Sequence, residues 1–152
     1  PPRDLCAGFP DAAARLTADR HRFATRALEI AVAADPSFRE RYDELGLRRL
    51  LNDALVLIDT LAVAVASADP GHLAHWADVT VPVYRRRRVP LDDLVSLADG
   101  IRAAVATALA PEERALVDDA LDGAISRWRK DRRLGGDARR RNRILAAIYK
   151  GA

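Results

Sequence analysis

Residues 72–102, HLAHWADVTVPVYRRRRVPLDDLVSLADGIR, concentrate the features that decide the fold. From Leu91 the apolar residues Leu94, Ala98, Ile101, Val105 and Ala108 recur at spacings of three and four, the pattern of an amphipathic helix. Upstream, Pro82 has no N–H and would crowd the carbonyl of Asp78, so a helix starting near Gly71 is expected to kink or restart there. Val79, Thr80, Val81 and Val83 weaken helix propensity at the same place. Pro90 suits the first turn of a new helix and pushes Val89 towards an extended backbone. The stretch therefore reads as two helical pieces, a connection at Arg88 and Val89, and a fresh start at Leu91.

Working outward gives more helices. Asp11 can cap a helix running to about Ala34, with Leu16, Phe23, Ala27, Ile30 and Ala31 on one face and charged residues opposite. Asp35-Pro36 ends it, and 36–45 reads as a short helix closed by Gly46. Residues 47–68 are the most apolar element. Between Ala54 and Ala68 only Asp59, Thr60 and Ser67 interrupt the run, which marks a core helix. The run is shorter than the ~20 residues of a membrane span, and Asp59 inside it requires a partner. Gly100 costs its helix ~1 kcal/mol relative to alanine, which points to close approach of another backbone. Pro111, Glu112 and Glu113 open a last long helix whose stripe is Val117, Leu121, Ala124, Ile125 and Trp128, and Gly135-Gly136 stops it. No strand alternation competes, so the expected fold is all-α with six to seven helices.

The 152 residues, 49% of them apolar, suffice for one core, and 5% aromatic content favours closely packed helices. Charge divides unevenly. Residues 1–126 carry 15 basic and 20 acidic side chains, net −5, whereas 127–152 carry 10 and 2, net +8. The reading is a body over 1–134 and a basic helical arm over 135–152. Arg139, Arg140, Arg141 and Arg143 of the arm suit nucleic-acid phosphates, an anionic membrane or an acidic partner face. Ile144, Leu145, Ile148 and Tyr149 give the arm an apolar edge for docking.

Chemistry-bearing motifs are absent. Cys6 is the only cysteine, which excludes an internal disulfide and fits a reducing cytoplasm. His72 and His75 could share a helix face, but no HExxH pattern or second cysteine joins them, so they read as surface residues, as does His21. Asp118, Asp119 and Asp122 fall on an outward face, and Arg85 to Arg88 point around their helix. No GxSxG, Walker loop or GxGxxG is present, and the chain is not expected to be an enzyme or to hold a metal.

The run Tyr84-Arg85-Arg86-Arg87-Arg88-Val89-Pro90-Leu91-Asp92-Asp93-Leu94-Val95 resembles the "aromatic, Arg-rich, G-V-P-L-D-E-L-L" segment of the N-terminal regulatory domains of RsbR/RsbRD-type stressosome proteins and some PucR-like regulators. Arg88 stands where that pattern has glycine. The helix order is also similar to that of globin-coupled sensors. The resemblance implies a globin-like sensory domain that dimerises through its last two helices and passes a signal to an attached or separate output partner. In haem-binding globin sensors the comparable segment carries the proximal histidine four residues before the glycine, and that position is Tyr84 here. The resemblance thus implies a shell without haem. The expected site is a pocket between 47–68 and 72–88, formed by Asp59, Val63, His75, Trp76, Val79 and Tyr84 and suited to a small apolar ligand. A homodimer built from 91–109 and 111–130, with Gly100 and Gly123 for close packing, is expected.

Overall fold

The computed structural model describes residues 7–135, and these form seven α-helices and one short 3₁₀ turn with no strand among them. The arm residues 136–152, including Arg139, Arg140, Arg141 and Arg143, and also Cys6, lie outside the described residues. In chain order the helices are α1 (Pro10–Ala18), α2 (Arg20–Ala34), α3 (Phe38–Arg41), α4 (Glu44–Ser67), α5 (Gly71–Arg86), α6 (Leu91–Val105) and α7 (Pro111–Gly135). The 3₁₀ turn, Ala106–Ala108, tightens the end of α6.

Helix α4 runs through the centre. Leu50, Ala54, Leu57, Ile58, Leu61, Ala64 and Val65 on it are each at most 2% exposed, and α1, α2 and α5 pack around them. Its 24 residues include an 18-residue window of mean hydropathy 1.7, long and apolar enough to cross a membrane, and the helix exceeds the length read from the sequence. More than half of that window is packed inside the bundle, as a core helix requires. Helix α2 lies against α6, and α7 against α5 and α6.

Four boundaries differ from the sequence reading. The first helix opens at Pro10, which supplies a ready φ at N1, and Asp11 sits in the first turn without capping. It also breaks at Asp19, because α1 follows α4 whereas α2 turns away to pack on α6 as well. Gly46 does not stop a helix. It lies in the first turn of α4, where its N–H donates to the Asp43 carboxylate at 2.7 Å, so Asp43 is the N-cap and α3 is only one turn long. Finally, α5 continues through Pro82 to Arg86. Pro82 faces solvent, where water can serve the carbonyl left without its donor, while Leu73, Ala77, Val81 and Tyr84 hold both halves on one core.

Arg88 closes α5 in the left-handed region, with φ 57°. Its N–H donates to the carbonyl of Arg85 at 3.1 Å and that of Val89 to Tyr84 at 3.0 Å, the paired bonds of a Schellman ending. Pro90 follows. A glycine is the residue this conformation favours, so the departure of Arg88 from the family-like pattern carries a cost. Arg88→Gly is expected to stabilise the domain by about 1 kcal/mol, read as a rise in denaturation midpoint at unchanged m-value. An unchanged or lowered midpoint would mean that the Arg88 side chain contributes more than its backbone costs.

Candidate functional site

One end of the bundle gathers two clusters built alike, each with a buried aspartate, a bidentate arginine and a tyrosine. In the first, Asp93 in the opening turn of α6 accepts from Arg41 Nη2 at 2.8 Å and Nε at 3.2 Å, and from the Tyr42 hydroxyl at 2.6 Å. Arg41 also donates to Asp35 at 2.9 Å and to the Ser37 hydroxyl, and its guanidinium lies 4.8 Å from the centre of the Phe38 ring. The Asp93 side chain is 6% exposed and that of Arg41 is 14% exposed. Burial works against the Arg41 charge, but its bonds to Asp93 and Asp35 outweigh it and raise the pKa. The cluster ties the α2–α3 corner to the start of α6.

In the second cluster Asp53, on the core side of α4, accepts from Arg87 at 2.8 and 2.9 Å. The Arg87 guanidinium lies 5.3 Å from the centre of the Tyr84 ring. Burial, and then the neighbouring Asp53 charge, push the Tyr84 phenol far above its ordinary range, so it stays protonated.

Between the clusters lies an open cavity of about 450 Å³ whose polar walls are Arg41, Tyr42, Asp43, Arg49 and Arg87. A neighbouring cavity of about 400 Å³ shares Arg49 and Arg87 and adds Arg48 and Asn52. Arg41 and Arg87 are committed to their aspartates and Arg48 pairs with Glu44, whereas Arg49 is exposed and has no partner among the described residues. The cleft can hold a small anion against Arg49. Among the described residues no group of three or more His, Cys, Asp or Glu is placed to hold a metal.

The residues expected to line a pocket between α4 and α5 are separated instead. Asp59 accepts a two-pronged bond from Arg20 at 2.9 and 2.8 Å, which supplies the partner that its apolar helix demanded. Val63 and Val79 are 48% and 56% exposed, and His75 is exposed. Trp76 is half-buried, with its ring centre 6.4 Å from those of both Tyr84 and Trp128, so Trp76, Tyr84 and Trp128 form an edge-to-face aromatic cluster. The four arginines diverge as their spacing implies, with Arg85 donating to the Asp131 carbonyl and Arg87 to Asp53. Asp118 and Asp122 are both bonded to Arg102.

Asp53 and Asp93 escaped the sequence reading. The signal was present, since Asp53 falls three residues after Leu50 and four before Leu57 on the core stripe, where a carboxylate requires a partner.

Two further carboxylates make the fold sensitive to acid. The Ser37 hydroxyl and then Arg41 hold Asp35 below its ordinary value of 3.8, and the Ala110 N–H, helped by Arg15, holds Glu113 below 4.5. Depressed folded values add stability that is complete above those ordinary values and is lost as pH falls through the lower folded ones. Thermal scans are therefore expected to show a falling midpoint below about pH 4, less steep in Glu113→Gln. A midpoint flat to pH 3 would contradict this.

Comparison with family models, curated proteins and solved structures gives no match for this chain.

Proposed function

We propose that this chain is a non-haem, globin-like regulatory domain, a binding module that self-associates and passes a signal to an output partner. One observation carries the reading. Tyr84, which occupies the position of a proximal ligand in the resemblance, is 4% exposed, protonated and set edge-to-face against Trp76, which meets Trp128 in the same way. A tyrosine ligand to iron would have to lose its proton, which burial and the Asp53 charge oppose at Tyr84. The polar end described above, with its cavity at Arg49, supports binding rather than catalysis.

Self-association has to use outward residues. Gly100 is buried against the Ala27 backbone, and Gly123 has Ala74 of the same chain beside it. Exposed valines on α4 and α5, Val56, Val63, Val79 and Val83, are apolar side chains suited to that role.

Haem reconstitution tests the central claim. The domain is expected to elute without a Soret band after incubation with haemin, and Tyr84→Phe is expected to make no difference. A stoichiometric Soret absorption lost in Tyr84→Phe would replace this proposal by a haem sensor. Light scattering on the wild type and on Val63→Glu with Val79→Glu tests the dimer; a wild type monomeric at high micromolar concentration would remove it.

A further inference from the structure

Outside the polar end, an apolar groove of about 520 Å³ runs between α2 and the first turns of α4. Leu28, Val32, Leu47 and Leu51 line it, only partly buried, and Glu29 stands on its wall. The buried stripe of α2, Phe23, Ala24, Ala27 and Ala31, already serves the core, so Leu28 and Val32 are a second apolar face on the same helix. From Thr25 to Ala33 the groove follows α2 for about 12 Å at 1.5 Å per residue, roughly two helical turns. That is the shape of a seat for a short amphipathic helix.

A fitting occupant belongs to the same chain. We propose that the groove receives residues 136–152, with Ile144, Leu145, Ile148 and Tyr149 turned inward as one helical face. These four residues advance about 7.5 Å along a helix axis, within the length of the groove. The departure point is close. Arg132, near the end of α7, bonds to Asp92 at 2.8 Å; the adjacent Asp93 is bonded to Arg41, which is bonded to Asp35, and the next residue, Pro36, lines the groove. Residues 136–143 span at most about 26–29 Å when extended, a reach that matches this short chain of contacts. The segment carries five basic and one acidic side chain, whereas Glu29 and Arg39 on the groove offset one another, so apolar contact rather than charge carries the fit. The interaction is independent of the haem and dimer readings above. It makes the groove a self-occupied site, open to a competing amphipathic helix only when the arm leaves.

The test uses the full chain with Cys6→Ser and a nitroxide spin label on Ala146→Cys, read by amide signal intensities. Leu28, Val32, Leu47 and Leu51 are expected to lose most of their signal, while Val63 and His75, away from the groove, keep theirs. Ile144→Asp with Ile148→Asp in the same labelled chain is expected to restore all four signals. Uniform or absent broadening would overturn the proposal, as would broadening that survives the double substitution. Mixing isotopically silent labelled chain with unlabelled, isotope-enriched chain separates the remaining case. Broadening in that mixture would mean that a second copy supplies the arm, and the proposal of a seat within one chain would fail.

Discussion

Asp93→Ala is expected to destabilise the domain by about 3–5 kcal/mol, because it removes the anion that a buried arginine and a buried tyrosine both require. Asp35 and Ser37 remain for Arg41, which places the effect towards the lower end of that range. The Tyr42 residue is 8% exposed, and in this variant its hydroxyl keeps no carboxylate at Asp93 to donate to. At roughly 3–4 °C per kcal/mol for a chain of this size, the melting temperature is expected to fall by about 10 °C or more. Arg41→Met added to Asp93→Ala is expected to cost less than the two changes summed, since each alone strands the other's partner. Strict additivity, or a loss below about 1 kcal/mol, would mean that the cluster contributes little beyond surface pairing.

The comparison with Asp53 sharpens the point. The Arg87 side chain is 32% exposed, whereas that of Arg41 is 14% exposed. Losing Asp53 therefore costs less through the cation it abandons, and more through the Tyr84 side of the cluster. The two clusters together fix the end of the bundle that carries the cleft, each through a buried aspartate held by an arginine beside a tyrosine.

Periodicity made the helices legible, because a stripe such as Leu94, Ala98, Ile101 and Val105 constrains both element type and buried face within the element itself. The break at Asp19 was not legible, since residues Ala18 to His21 contain no glycine or proline and the turn comes from the different partners of α1 and α2. Gly46 was misread because a glycine after a short polar run looks like a helix end, while the capping carboxylate of Asp43 three residues earlier gave the opposite signal. The clusters were hidden for a different reason. Arg41 and Asp93 are separated by 52 residues and Arg87 and Asp53 by 34, so nothing local distinguishes them from the many exposed arginines and aspartates. Two residues of the expected α4–α5 site, Val63 and Val79, turn outward. Val63 and Val79 are apolar residues on mostly polar faces, and counting hydrophobic residues without placing them on the wheel put them inside.

Gly100→Ala is expected to destabilise the domain by about 2–3 kcal/mol, although alanine is the better helix former. A Cβ on Gly100 would overlap the carbonyl oxygen of Ala27 and stand 3.0 Å from its carbon, and backbone cannot rotate aside as a side chain can. Relief requires α2 and α6 to separate, and these helices share the core through Ala24, Ala27, Ala31, Leu97 and Ile101. The gain of ~1 kcal/mol in helix propensity is too small to offset that. Gly123→Ala is the matched control, because its Cβ would meet only the Ala74 methyl at 3.5 Å, ordinary van der Waals contact. There the propensity term wins, and stabilisation of up to about 1 kcal/mol is expected. Urea denaturation of the two single variants reads the contrast directly, as opposite shifts of the midpoint. If Gly100→Ala were neutral or stabilising, α2 and α6 would not approach as closely as the Ala27 carbonyl requires, and the arrangement of α2 that shapes its outer groove would have to be redrawn.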